Sequence, residues 1–185
     1  MNRRVFDESS PERHLVRDNT IVAMAEVGAE PMYYETVSVF EHREYLIEKI
    51  RRDYNLLEEV VGDEDAVETL ADLSEVLHSF TRLEDYEESH LKQTRHKRLQ
   101  AGLYDEPNPD SLGDKVHKLA GALESTPSTS DRLERLADLL QCVYVLAGFK
   151  GIRPDIVETM RVRRKTERGS YIGGVILVDA IEHQQ

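Results

Sequence analysis

Three acidic residues in one segment have the type and spacing to bind a metal ion. Glu68 and Asp72 are four residues apart, and Asp72 and Glu75 are three apart, so their carboxylates share one face if the segment is helical. Carboxylate oxygens suit Mg²⁺, which commonly completes its coordination shell with substrate phosphate. Such an ion polarises a phosphoryl group and generates or orients an attacking water. The same residues also fit a solvated helix face or structural ion pairs, and we favour this structural interpretation over a metal site.

The segment that carries these carboxylates nearly recurs further along the chain. ETLADLSEVL, residues 68–77, is matched by ERLADLLQCV, residues 134–143, and the separation of Asp72 from Asp138 defines the repeat offset. Self-similarity at a fixed offset is the signature of a repeat, and we interpret the chain as a tandem duplication. Further matches at the repeat offset are Lys49 with Lys115 and Leu57 with Leu123, and those with a one-residue slip are Lys97-Arg98 with Arg164-Lys165 and Gly102-x-Tyr104 with Gly169-x-Tyr171.

Apolar residues at helical spacing predict a mainly all-α fold that positions the carboxylates on long amphipathic helices. Short β segments are predicted near residues 32–40 and 174–178, where β-branched and aromatic residues cluster. Ser130 is the predicted N-cap of the helix that carries Asp138. The predicted helices cover residues 21–27, 41–61, 64–80, 86–100, 112–123, 132–147 and 154–166.

The breaks between these segments define the expected organisation. Residues 1–13 form a flexible arm, 14–104 the first repeat, 105–111 a linker with two prolines, and 112–185 the second repeat. One helical hairpin buries too little surface alone, so we expect the repeats to pack as a pseudo-dimer. The residues predicted to be buried in that shared core are Leu70, Leu73, Leu77, Leu136, Leu139 and Val143.

The composition excludes several classes of function. A net charge of −12 argues against a general DNA-binding protein, which neutralises phosphates over a broad surface. Cys142 is the only cysteine, so no intramolecular disulfide forms. No apolar run is long enough to span a membrane, and we expect a cytoplasmic protein. Abundant acidic residues with few lysines resemble proteins of salt-loving archaea, where salt screens carboxylate repulsion.

Four stretches of the chain, taken in order, carry a recognisable pattern. They are HLVRDN at residues 14–19, LIEKI at 46–50, the LAD block at 70–72 and RRKTERGSYIGGVILVD at 163–179. Together they resemble small MazG-like nucleotide pyrophosphohydrolases of archaea, including the phosphoribosyl-ATP pyrophosphohydrolase-like type. The resemblance covers nearly the whole chain, with the family core present twice.

The resemblance implies an all-α fold in which helices of two subunits pair into a bundle. Members bind Mg²⁺ through carboxylates on two facing helices and hydrolyse nucleoside triphosphates to monophosphate and pyrophosphate. An active protein of this kind would need Mg²⁺. Otherwise we expect no cofactor.

The sequence departs from this family at its metal ligands. Two adjacent family glutamates fall on Arg52 and Asp53, and a third falls on Leu56. The glutamate of the second motif falls on Thr69, which leaves Asp72. In the second repeat only Asp138 remains at a family position. An arginine beside a metal position opposes metal binding by charge repulsion, so the candidate metal ligands reduce to a rearranged set, namely Asp53, Glu68, Asp72 and Glu75.

Basic residues end two of the predicted helices. Cations at helix C-termini are ordinary partners of the helix dipole. In the family context they are candidates for binding nucleotide phosphate, and they would equally suit an acidic protein or RNA phosphate. These candidates are Arg95, Lys97, Arg98, Arg163, Arg164, Lys165 and Arg168.

These observations lead to one expectation and two alternatives. We expect a MazG-like protein with degenerate metal sites that binds a nucleotide or a protein partner, and homo-oligomers are compatible with it. The first alternative is an active Mg²⁺-dependent pyrophosphohydrolase with the rearranged site. The second is an accessory factor that docks on a ribonucleoprotein.

Overall fold

The protein is all-α with one small sheet, as predicted. The computed structural model describes residues 13–20, 26, 34–60, 62–104 and 108–178. No helix in those ranges is both long and apolar enough to cross a membrane. The elements are β1 (Arg13–Leu15), β2 (Tyr34–Thr36), α1 (Val39–Glu59), α2 (Asp63–Leu83), α3 (Glu88–Gln100), α4 (Pro109–Ser125), α5 (Thr129–Phe149), α6 (Pro154–Arg168) and β3 (Val175–Val178).

Helices α1 and α5 start earlier than the sequence predicted. The predicted strand over residues 32–40 is confined to β2, because Ser38 caps α1 and exchanges hydrogen bonds with Glu41 in a capping box. Ser128, rather than Ser130, caps α5 by accepting a hydrogen bond from the amide of Asp131.

The ends of the chain and the linker add further corrections. Pro109 begins α4, so the last part of the predicted linker is helical; proline is well suited to a first helical turn. The sequence did not predict β1, which includes Arg13 of the expected arm. The rest of that arm, and the predicted helix over residues 21–27 apart from Glu26, lie outside the described residues.

One continuous apolar core joins the two halves of the chain. The helices that carry Asp72 and Asp138, α2 and α5, pack against each other, as predicted. All six leucine and valine residues predicted for the core are buried, and each is at most 2% exposed. The core continues through α1 and α4 with residues such as Ile50 and Val116. The two LAD segments therefore lie in one bundle.

The helices of the two halves share their boundaries at the repeat offset. Helix α2 begins at Asp63 and α5 begins at Thr129, and the two helices end at Leu83 and Phe149. The two starts, and likewise the two ends, are as far apart in sequence as Asp72 and Asp138. The last residues of α1 and α4 have the same separation, and so do the first residues of α3 and α6.

The helix packing is reciprocal between the halves. α1 packs on α2 as α4 packs on α5. The third helix of each half packs mainly on the second helix of the other half, so α6 lies against α2 and α3 lies against α5. Each half thus completes the other.

The sheet brings the first described residues to the end of α6. Its strand order is β1-β3-β2, and both pairings are antiparallel. The Val16 amide donates to the Val175 carbonyl over 3.0 Å, and the Asp18 amide donates to the Ser170 carbonyl over 2.7 Å. This pairing holds Arg17 beside α2, where three of the four candidate carboxylates lie.

Candidate functional site

Arg164 of α6 binds both Glu68 and Asp72, the two acidic residues that precede and end the LAD motif. Its guanidinium binds Asp72 through two parallel hydrogen bonds, Nε to Oδ1 at 2.9 Å and Nη2 to Oδ2 at 3.0 Å. Its third nitrogen donates to Glu68. Such bidentate pairs are among the strongest hydrogen bonds in proteins. Glu68 and Asp72 therefore share one face, as predicted, and that face binds an arginine.

A second arginine binds the same aspartate from the other side. Arg17 Nη2 lies 2.5 Å from Asp72 Oδ1, and Arg17 Nη1 donates to the Gly169 carbonyl over 2.8 Å. Arg17 is only 4% exposed. Burial of a charge is costly unless it is paired, so Arg17 and Asp72 depend on each other.

The second half contains the same arrangement. Arg98 of α3 binds Asp138 through Nε at 2.7 Å and Nη2 at 3.0 Å, and it donates to Glu134 over 2.7 Å. Arg98 and Arg164 are counterparts at the repeat offset, as are their carboxylate partners. The one-residue slip predicted at Lys97-Arg98 therefore begins only after these arginines.

The carboxylates keep both guanidinium groups charged. Burial alone would lower the pKa of Arg164, but Asp72 and Glu68 outweigh it and raise that pKa. Burial also opposes the charge of Arg98, and Asp138 and Glu134 again raise its pKa. Both guanidinium groups thus carry a permanent positive charge at the positions where a bound metal ion would carry it.

Glu75 lies further along α2 in a separate cluster of charges. It is fully buried and accepts hydrogen bonds from Arg161 at 2.7 Å and Arg82 at 2.9 Å. Ser79 also donates to it over 3.3 Å. Glu75 is therefore a buried structural carboxylate with its own cations.

Asp53, on α1, pairs with a lysine one turn earlier. Lys49 Nζ lies 3.1 Å from Oδ1 and 2.9 Å from Oδ2 of Asp53. Burial raises the pKa of Asp53, and the lysine acts in the opposite direction. Asp72 is near enough to raise that pKa further. Asp53 and Asp72 are thus neighbours, with cations beside each of them.

The candidate metal ligands do not converge on one site. Within the described residues, no three or more His, Cys, Asp or Glu side chains form a group that could hold a metal ion. Mg²⁺ needs several oxygen ligands with open positions for phosphate and water. The side chains present do not fit this requirement, because guanidinium or ammonium groups take up the carboxylate oxygens.

Most of the candidate phosphate ligands are engaged within the protein. Arg95 donates to Gln141 over 2.7 Å and lies over the Tyr144 ring, and Lys165 pairs with Glu88. Arg98 and Arg164 bind the LAD carboxylates as described above. The remaining candidates are exposed: Lys97, Arg168 and Arg163, of which Arg163 pairs with Glu167 at 3.5 Å.

Sequence reasoning missed a cluster of polar and charged side chains where α2, α3 and α6 meet. Glu158 of α6 accepts from Ser74 at 2.8 Å and lies 2.5 Å from Lys92 Nζ. Burial acts to raise the pKa of Glu158, but the lysine and Arg161 lower it to about 2.

His78 lies beside this cluster without any exposed surface. Its Nε2 is 3.9 Å from Glu158 Oε2, which is too long for a hydrogen bond. Burial, followed by the charge of Arg161, lowers the pKa of His78 to about 3, so the imidazole is neutral. The repeat offset was the available signal for these contacts, since it relates Lys92 to Glu158 and Arg95 to Arg161.

Comparison of the chain with protein-family models, curated proteins and solved structures finds no match to any of them.

Proposed function

We propose that this protein is a MazG-like binding protein in which arginines have taken over the positions of a metal site. The observation that carries the proposal is the bidentate contact of Arg164 with Asp72, repeated by Arg98 with Asp138. Mg²⁺ at Asp72 would lie close to two guanidinium groups, and charge repulsion between them disfavours its binding. The arrangement suits a stable scaffold better than phosphoryl chemistry.

A protein partner suits this scaffold better than a nucleotide does. Nucleotide phosphate needs uncompensated cations, whereas five of the seven candidate cations pair with side chains of the protein itself. At the start of α1, Val39 and Phe40 are 54% and 67% exposed. Aromatic side chains are enriched in protein interfaces, so this helix start is the surface we expect a partner to use.

A hydrolysis assay separates this proposal from the active-enzyme alternative. Nucleoside triphosphates are incubated with the protein and Mg²⁺ or Mn²⁺ in high salt, and pyrophosphate release is measured. We expect little or no release. A clear signal that Asp72→Asn abolishes, while the helical circular dichroism signal is unchanged, would establish the rearranged site instead. Asp63→Asn is the matched control, because Asp63 is an exposed carboxylate on the same helix.

Nucleotide binding without hydrolysis is tested by thermal shift. A ligand at 100 times its Kd stabilises the folded state by about 2.7 kcal/mol, which is readily measured as a rise in Tm. We expect no nucleotide to raise the Tm. A rise that is lost in Lys97→Glu or Arg168→Glu would show that the exposed helix ends bind phosphate and that the partner is a nucleotide.

A further inference from the structure

One ion pair joins two positions that are each other's counterparts in the repeat. Lys92 of α3 and Glu158 of α6 are separated by the repeat offset, and Lys92 Nζ lies 2.5 Å from Glu158 Oε2. Two equivalent positions that touch each other must lie at the pseudo-two-fold axis that relates the halves. The reciprocal packing of α3 on α5 and of α6 on α2 defines the same axis.

Because the pair lies on the axis, its charges indicate which halves can pair with each other. If a first half paired with the first half of another copy, Lys92 would face Lys92. If two second halves paired, Glu158 would face Glu158. Only a first half with a second half places opposite charges together. Like charges in contact at an interface act against the wrong pairing.

We propose that Lys92 and Glu158 determine which halves pair, so that a first half accepts a second half and rejects another first half. The potential competitor is a half from a second copy of this chain, because the second helix of each half packs against the third helix of another half. The surroundings of the pair favour this role. Arg161 follows Glu158 by three residues and lies 3.2 Å from it, and Arg95 stands at the corresponding place after Lys92.

Charge reversal tests the proposal on the full chain. Lys92→Glu and Glu158→Lys each place like charges at the axis, and we expect each to lower the Tm by roughly 2–4 °C, the shift that a loss of about 1 kcal/mol causes in a chain of this length. The double reversal restores opposite charges at the axis, although the lysine at position 158 then lies beside Arg161, which is 3.2 Å from the native carboxylate. A glutamate at position 92 removes the contact between two lysines that Glu158→Lys creates, so we expect the double variant to have a Tm about 2–4 °C above that of Glu158→Lys. Unchanged single variants, or a double variant no more stable than Glu158→Lys, would overturn the proposal.

A pair away from the axis provides the control. Glu84 accepts from Arg43 at 2.6 Å and also from Arg132 at 2.6 Å. Positions 43 and 84 both lie in the first half and are not counterparts in the repeat. Exchange of halves between two chains cannot bring opposite charges together at this pair, so a mixture of Arg43→Glu and Glu84→Arg should form no two-chain species.

Mixing the two single variants tests selectivity itself. The Lys92→Glu chain carries glutamate at both axis positions, and the Glu158→Lys chain carries lysine at both. When they are refolded together, exchange of halves between the two chains places opposite charges at both contacts. We expect light scattering to detect a two-chain species in the mixture that neither variant forms alone. A mixture that contains only the species of the separate variants would overturn the proposal.

Discussion

The arginines on Asp72 give the sharpest test of how the LAD face is used. Arg164→Met keeps an apolar stem and removes the guanidinium. The Arg164 side chain is 8% exposed and that of Asp72 is 21% exposed, so the pair is mostly dry. Breaking a buried pair costs about 3–5 kcal/mol when one charge is left alone. Arg17 remains on Asp72 at 2.5 Å, which lowers our expectation to about 2–3 kcal/mol.

The third hydrogen bond of Arg164 adds little to that figure. Glu68 is 38% exposed, and ion pairs with such solvent access contribute about 0–1 kcal/mol. Arg17→Met should cost a similar amount to Arg164→Met, because each variant leaves one cation on Asp72. The double variant leaves Asp72 with neither, so its loss should exceed the sum of the single losses by about 1 kcal/mol.

Urea unfolding followed by circular dichroism measures these free energies of unfolding. With an m value of about 2–3 kcal/mol/M, the Arg164→Met variant should lose about 1 M in midpoint. Additive losses within about 0.5 kcal/mol would refute the idea that both arginines neutralise one aspartate. A loss below about 0.5 kcal/mol for either single variant would place its guanidinium in solvent.

Three further predictions concern the core, a turn and pH. Leu136→Ala should cost about 2–5 kcal/mol, measured by urea unfolding, because the Leu136 side chain is fully buried. Gly169→Ala should lower the Tm clearly more than Gly102→Ala: both residues have positive φ, but an added Cβ at Gly169 meets the Asn19 amide at 3.0 Å and one at Gly102 meets nothing. His78 has a folded pKa of about 3 against 6.5 unfolded, so its neutral form contributes stability above pH 6.5 that is lost as the pH falls toward 3. When the pH is lowered from 6.5 to 5, the unmodified protein should lose free energy of unfolding, and His78→Gln should lose about 1–2 kcal/mol less over the same interval.

Local patterns predicted most of the helices and the core. The apolar stripe through Leu70 and Leu136 has a helical period, and such a face must be buried whatever its neighbour is. Helix starts depended on caps, and several serines near the start of α5 offered similar side chains. The strand β1 was missed because its pairing with β3 is between residues distant in sequence, which three residues cannot encode locally.

The spacing of the carboxylates predicted that they share one helix face, but it did not predict which group binds them. Glu68 and Asp72 lie together for the reason given by their spacing, but a helical period does not tell whether a metal ion or a guanidinium meets them. Arg164 was assigned to a helix end as a candidate phosphate ligand. Its true contact depends on how α6 crosses α2, which is a tertiary property. The separation of Arg98 from Arg164, equal to that of Asp72 from Asp138, was the one signal that joined these residues in the sequence.

Some contacts differ between equivalent positions of the two halves. Arg161 meets Glu75 in a fully buried ion pair, whereas its counterpart Arg95 meets the neutral Gln141. A homodimer of identical chains imposes every substitution on both sites at once, but one chain with two halves does not. The additional contact of Arg17 with Asp72 has no counterpart among the described contacts of Asp138. For the binding protein that we propose, we therefore expect the partner to bind one half only, and variants at equivalent positions should affect binding unequally.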